Sequence, residues 1–402
     1  MRKEISWSPT KRVPGALRYY SKPGLILNGK SFYDSIINTM LLNKLNLPSD
    51  FILPAIVSFL VTLLFIPIVI KLSKKFKLTD SPQRDHPAIL HQKPIARGGG
   101  IPLFLGFATA VFLFFPLTPA IKAILVGSLV NIIFGTLDDR FNLSPWLRLF
   151  ITLPLAALPI IFCGIELTMS NPLGGGIISF RWWEIPLPLT SASIFLPEAA
   201  LLVFWVVWVS NMVNWTKGAS QLPGLAVIAF ATLAGVALKY QSGNPQQLIT
   251  ARLGITLAAA SLALLPFNFP PEKIFPGFGG STFIGFNLAV LAILSGGKVA
   301  AALLVLGIPA ADMLITIWRR FKFHKNPLHG DREHFYHLLL NLGLTKRQVI
   351  LLYWFVTLCL GIFALQLERS QKLFAIVLVF VLTTGSFIII RWLLRRKEVL
   401  CL

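Results

Sequence analysis

Apolar runs alternate with short polar breaks from residue 51 to residue 392 of the chain. The runs are 51–70, 101–117, 121–137, 147–165, 198–213, 222–238, 249–266, 282–295, 299–317, 349–366 and 373–392. A helix needs about 20 apolar residues to cross a bilayer. Eleven such runs predict an all-α polytopic membrane protein with 10–11 transmembrane helices, the shorter ones tilting or merging with a neighbour. Residues 166–197 break the pattern. There Gly174, Gly175 and Gly176 precede an alternating stretch, Ile177-Ile178-Ser179-Phe180-Arg181, and then Trp182-Trp183. Alternation after glycines predicts a small hairpin outside the cytoplasm, and paired tryptophans suit the membrane interface.

Composition agrees with that reading and narrows it. Hydrophobic residues are 55% of 402, charged residues 13%, and mean hydropathy is +0.72. A soluble, disordered or fibrous chain is excluded. Lys and Arg outnumber Asp and Glu by 37 to 16, a net charge of +21. On a soluble chain that would suggest nucleic acid. Here the bases gather in loops instead. Loop 71–100 carries Lys71, Lys74, Lys75, Lys77, Arg84, Lys93 and Arg97; loop 318–348 carries Arg319, Arg320, Lys322, Lys325, Arg332, Lys346 and Arg347; the end carries Arg395, Arg396 and Lys397. The positive-inside bias places all three in the cytoplasm, and no nucleic-acid partner is expected. Parity then adds loops 138–146, 211–221 and 267–281 to the same side.

The expected organisation is a basic extension over 1–50, a transmembrane domain over 51–395 and a basic tail over 396–402. Parity puts the extension outside, against its charge, so either it lies along the membrane surface or the start is assigned too early, with Met40 a candidate start. Cys163, Cys359 and Cys401 have neither disulfide nor metal-site spacing and read as packing residues.

Three polar constellations stand out in the loops. Asp138-Asp139 follows an apolar run, and adjacent carboxylates at a membrane surface are costly unless paired or metal-bound. They could hold a hard cation, act as a base, or close a helix end against Arg140 and Arg148. The stretch Asp80-Ser81-Pro82-Gln83-Arg84 to His91-Gln92-Lys93-Pro94-Ile95-Ala96-Arg97-Gly98-Gly99-Gly100 combines backbone N–H groups with two bases, as an anion site or a flexible connector would. Four histidines crowd into 324–337. His334 and His337, at i and i+3, would share a helix face beside Arg332 as a phosphate grip, unless the stretch is only a solvated basic loop.

Together the loops resemble the polyprenyl-phosphate N-acetylhexosamine-1-phosphate transferases, the bacterial MraY/WecA/TagO group within glycosyltransferase family 4. The matches run in order over about residues 52–395. They are the Asp80 to Gly100 stretch; Asp138 and Asp139; Asn211 and Asn214; Lys273-Ile274-Phe275-Pro276-Gly277-Phe278-Gly279-Gly280-Ser281; and Pro309-x-x-Asp312 with Asp331-Arg332-x-His334-x-x-His337. The run Gly343 to Gln348 looks closer to the WecA/TagO branch.

The resemblance implies a multi-pass protein of the inner, cytoplasmic membrane with its site facing the cytoplasm. It implies transfer of N-acetylhexosamine-1-phosphate from a UDP-sugar to polyprenyl phosphate, with release of UMP, for cell-envelope glycan synthesis. Partners would be UDP-N-acetylhexosamine, polyprenyl phosphate, the lipid bilayer and a second copy in a homodimer. Catalysis would fall to Asp138 and Asp139, which would also hold Mg²⁺. Substrate binding would fall to Lys93, Arg97, Gly99, Gly100, Asn211, Asn214, Lys217, Asp331, Arg332, His334 and His337.

The chain also departs from the family pattern. The two acids of the third loop fall at Lys217 and Ser220, and the metal-liganding Asp of the fourth falls at Phe278. That shifts the local formal charge by four, two of them at Lys217. Lysine repels Mg²⁺ and phenylalanine offers no ligand, so the resemblance implies a weakened or lost metal site, or Lys217 standing in for part of the metal's charge. Two further classes therefore stand beside the transferase. One is a relative that binds lipid phosphate, nucleotide-sugar or a partner protein without turnover. The other is a transporter or flippase, which would leave the ordered matches unexplained and lacks paired half-repeats.

Overall fold

A computed structural model describes residues 47–82, 92–171, 176–186, 193–240, 244–296, 298–326 and 333–400. The chain divides into one unit of Asn46–Ile185 with Ser193–Leu402, described below, and a second of Met1–Leu45 with Pro186–Ala192, in which Pro186 alone is described. The basic extension, Met40, Arg84, His91, Asp331, Arg332 and Cys401 lie outside the described residues.

Every apolar run predicts a helix, and all but 299–317, which splits into two, form a single one. α1 spans Leu47–Lys75; after it β1, Thr79–Asp80, pairs antiparallel with β2, Ile95–Ala96. α2 is Gly100–Phe114, α3 Pro119–Phe141 and α4 Pro145–Phe162. β3, Thr168–Ser170, and β4, Ile177–Ser179, form the expected hairpin with Thr168 opposite Ser179. Then come α5 Leu196–Trp215, α6 Leu222–Lys239, α7 Pro245–Asn268 and α8 Gly277–Leu294. α9 Val299–Val305, α10 Gly307–Lys322, α11 Phe335–Asn341, α12 Lys346–Gln366 and α13 Arg369–Leu400 complete the chain.

Among the described residues nine helices are long and apolar enough to cross a membrane. The eleven predicted runs differ from these nine at two places. Run 101–117 forms only a 15-residue helix, because Pro116 follows its end. Run 299–317 breaks between α9 and α10 with a bend of 83°, just before Gly307 and Pro309. The fourth polar loop is also shorter than predicted, since residues 277–281 already belong to α8.

Capping residues explain the helix ends. Thr118 accepts the Ile121 N–H at 3.3 Å with Pro119 at the first position of α3, and Asn142 ends that helix in the left-handed conformation, φ 51°. Thr345 and Gln348 form a reciprocal capping box at the start of α12.

α8 is the core of the bundle: its residues from Gly277 to Ile293 are buried. Glycines let its neighbours approach at backbone distance, as small residues do in membrane bundles. A Cβ on Gly135 of α3 would strike Gly279, and one on Gly100 of α2 would strike Gly280. The outer faces are apolar. Leu60, Leu64, Phe355, Leu358, Val381 and Ile388 are about half exposed or more. Such a surface suits lipid, where an apolar side chain outside the protein core has no water to avoid.

Candidate functional site

Asp138 and Asp139 occupy the last turn of α3, 2% and 7% exposed. A carboxylate so placed needs counter-charge or donors. Asp139 has both. Arg97 Nε reaches its Oδ1 at 3.1 Å, and the backbone N–H of Phe278 donates to both its oxygens at 3.0 Å. That N–H is in the first turn of α8, where backbone donors have no intrahelical acceptor. Gly277 makes the approach feasible. Its φ is +72°, and a Cβ there would collide with Asp139 Oδ2 and the Arg97 carbonyl. Burial pulls the Arg97 guanidinium pKa down, but Asp139, Asp80 and Asp138 outweigh it and raise it.

Asp138 is held more loosely. Its Oδ2 meets Arg148 of α4 at 3.5 Å, the helix-end partner expected from sequence. Its Oδ1 is buried with no hydrogen-bond partner among the described residues. One oxygen of Asp138 is therefore open only in the sense that no hydrogen bond among the described residues occupies it.

Lys217, just past the end of α5, faces the same place. Its Nζ stands 5.7 Å from the centre of the Phe278 ring, and the Arg148 guanidinium stands 5.3 Å from that ring. The ring is 3% exposed, so two cations share the π-face environment of one buried aromatic. Burial lowers the Lys217 ammonium to about 8, opposed by Asp139 and reinforced by Arg97. Among the described residues Lys217 has no hydrogen-bond acceptor and no carboxylate within 4.0 Å.

Does this donor set fit Mg²⁺? Mg²⁺ asks for near-octahedral oxygens, commonly one or two carboxylates with waters and substrate phosphates. Here Asp139 is committed to Arg97 and Phe278, Asp138 Oδ2 to Arg148, and only Asp138 Oδ1 is open. Among the described residues no three His, Cys, Asp or Glu side chains group as a metal site. With an ammonium facing the same space, the described residues do not fit a resident Mg²⁺.

The remaining loops close around this centre. The N–H groups of Gly99 and Gly100, which the sequence suggested as anion donors, are taken by the carbonyls of Phe275 and Pro276 at 3.0 and 3.1 Å. These glycines dock the first loop on the fourth instead, and a parallel bridge between Ala96 and Ile274 continues the contact. Lys93 is exposed. Asn214 Oδ1 accepts the Ser281 hydroxyl at 2.8 Å, while Asn211 donates to the Val207 carbonyl of its own helix at 2.9 Å.

Ser220, in a left-handed conformation at φ 69°, donates its hydroxyl to Glu272 Oε1 at 2.7 Å. Lys346 donates to the same oxygen at 2.5 Å. Burial pushes the Glu272 carboxyl up, but the bond and charge from Lys346, with Ser220 helping, bring it below the ordinary glutamate value. Sequence motifs did not single out Glu272. Its signal is an acid alone in Phe267 to Phe275, between two apolar helices.

In the fifth loop His334 and His337 do not share a helix face. His334 is the N-cap of α11, in extended conformation, because Asp312 anchors it: His334 Nδ1 lies 2.9 Å from Asp312 Oδ2, and the Phe335 N–H donates to Asp312 Oδ1 at 2.8 Å. The His334 ring meets the edge of Trp215 at 5.5 Å, and His337 packs on Tyr336 at 4.1 Å. Tyr336 reaches the third loop where Gly218 leaves room for its hydroxyl.

The comparisons with known proteins point one way. A profile described as glycosyl transferase family 4 matches residues 121–296. An undecaprenyl-phosphate alpha-N-acetylglucosaminyl 1-phosphate transferase of Haemophilus influenzae is 32% identical over 279 residues, 66% of this chain and 74% of its own length. A probable undecaprenyl-phosphate N-acetylglucosaminyl 1-phosphate transferase of Bacillus subtilis is 29% identical over 337 residues, 81% of this chain and 87% of its own. The Escherichia coli K12 undecaprenyl-phosphate alpha-N-acetylglucosaminyl 1-phosphate transferase is 28% identical over 311 residues, 73% and 77% of the two chains.

Proposed function

Because the chain belongs to glycosyl transferase family 4, among the polyprenyl-phosphate N-acetylhexosamine-1-phosphate transferases, we propose that it transfers N-acetylhexosamine-1-phosphate from a UDP-sugar to polyprenyl phosphate. The sugar in its relatives' names makes UDP-N-acetylglucosamine the donor to test first. The Lys and Arg distribution supports a site facing the cytoplasm, where nucleotide-sugars are available.

The observation that carries this reading is the buried Asp138-Asp139 pair with one open oxygen, ringed by Arg97, Arg148 and Lys217. Phosphoryl transfer asks a protein chiefly to position anions and neutralise them. An oxygen of the lipid phosphate forms a bond to the sugar-bearing phosphorus, and the bond from that phosphorus to the UMP oxygen breaks. One P–O bond replaces another and phosphorus keeps its oxidation state, so no electron is gained or lost. Where the lipid phosphate enters as a monoanion, Asp138 Oδ1 takes its proton and returns it to UMP. Arg97 fixes Asp139 and, through it, the first turn of α8.

One observation favours a second reading, binding without turnover: the unfitness of the described donors for Mg²⁺. A transfer assay separates the two. Purified protein, labelled UDP-N-acetylglucosamine and undecaprenyl phosphate are incubated with Mg²⁺ and, separately, with EDTA. Label in the lipid extract that disappears in Asp138→Asn is the expected result. No lipid label under either condition leaves the binding-only reading.

A further inference from the structure

Three features of the third and fourth loops belong together. The Lys217 ammonium is partly buried, and among the described residues it has no acceptor of its own. The Phe278 ring faces it at 5.7 Å, and a π-face attracts a cation without using its N–H donors. Its neighbours Arg97 and Arg148 are already committed to Asp139 and Asp138. Of these three cations Lys217 is the one with no carboxylate within 4.0 Å among the described residues, so its three N–H donors are uncommitted. An ammonium held so, in a site partly shielded from water, is stabilised most by an anion that accepts hydrogen bonds.

We propose that Lys217 is the fixed cation of the site, and that it, rather than a divalent ion, meets the phosphate of the bound nucleotide. The identity of the nucleotide rests on the transferase reading; the role of Lys217 rests on the geometry. Phe278 has the matching part. A carboxylate there would neutralise Lys217 and Arg148, whereas a ring positions both cations and leaves their charge for the ligand. Lysine suits the task because its ammonium is a compact point charge with three donors on a stem that packs along the ring.

Binding of UMP to the full chain in detergent, measured by titration calorimetry, tests this apart from turnover. In EDTA the wild type should bind UMP within about two-fold of its affinity in Mg²⁺, since no cation has to be supplied. Lys217→Met keeps the packing stem and removes the charge. It should weaken UMP at least about ten-fold in both buffers, the usual scale of a lost charge-assisted hydrogen bond. Lys217→Arg should recover most of the affinity, and a thermal melt checks that each variant is folded. The triple change Lys217→Asp, Ser220→Asp and Phe278→Asp should make UMP binding depend on Mg²⁺, because hard oxygen donors replace the ammonium and the ring.

Three results would overturn the proposal: wild-type binding that collapses in EDTA and returns with Mg²⁺, a folded Lys217→Met that binds UMP like wild type, or no UMP binding in either buffer. The two readings fail separately. Transfer that occurs only with Mg²⁺ removes the inference and keeps the transferase. UMP bound through Lys217 in EDTA, with no transfer under any condition, does the reverse.

Discussion

Asp138 and Asp139 are neighbours in sequence, yet their partners give them different work. Asp139 is locked by Arg97 and by the Phe278 N–H, so it belongs to the structure of the site. Asp139→Asn removes the closer of the two carboxylates paired with Arg97, leaving Asp80 at 3.8 Å, and should cost about 1.5–3 kcal/mol, read as a fall in the melting temperature. Asp138 has one weakly held oxygen and one open one. Asp138→Asn should leave the melting temperature nearly unchanged and lower transfer by about 10²-fold or more, the scale of a lost proton acceptor. Equal destabilisation by both variants would contradict this division. Gly277 makes a third residue-scale test. Its positive φ and the atoms facing its missing Cβ predict that Gly277→Ala destabilises by about 1–3 kcal/mol, measured by thermal or denaturant unfolding. The pair itself was legible in the sequence, because adjacent acids at the end of an apolar run are conspicuous. Which acid is locked and which is open was not, because that depends on Arg97 and on a backbone N–H 139 positions away.

Between elements, the join of most consequence is the Ser220–Glu272–Lys346 contact, which ties the loops before α6 and α8 to the start of α12. Glu272 has its carboxyl held below the ordinary glutamate value by Lys346 and Ser220 against the opposing effect of burial. The sign follows. A group depressed in the folded protein adds stability above its unfolded pKa of about 4.3, and that stability is lost as pH falls through the folded value. Unfolding of the wild type should therefore become easier as pH drops below about 4.3, and Glu272→Gln should flatten that slope. At neutral pH the variant should lose about 1–2 kcal/mol, the range of hydrogen bonds to charged groups. A pH profile of the melting temperature for the two proteins checks both statements; parallel profiles would refute them. Helices themselves were the easiest elements to foresee, since each apolar run is long enough to satisfy its backbone internally. The break between α9 and α10 was less so. Gly307 and Pro309 lie inside a continuous apolar run, and glycine and proline are tolerated inside membrane helices where neighbouring groups satisfy the freed backbone, so their presence alone does not mark a break.

At the scale of the molecule, loops far apart in the chain meet at one end of the described helices: Arg97 on Asp139, Gly99 on Phe275, Ser220 on Glu272, Trp215 on His334. If that end faces the cytoplasm, a cysteine at exposed Arg140 or Lys273 should react with an impermeant maleimide only after cells are permeabilised. One at Trp183, 69% exposed beyond the hairpin, should react in intact cells. Labelling of Arg140→Cys from outside would reverse the orientation. The sequence by itself determined that this is an all-α membrane protein, roughly where each helix runs and which loops gather the polar motif residues. Those properties follow from local composition: a bilayer sorts segments by apolar length, and loops by Lys and Arg. The tertiary structure alone decided what the loop residues do. It turned Gly99 and Gly100 from anion donors into a docking edge, made His334 a cap anchored by Asp312, brought Glu272 to Ser220, and set Phe278 between Lys217 and Arg148. Hydrogen bonds and charge pairs act over a few ångströms, and which groups come that close is fixed by how the helices pack, not by their order in the chain.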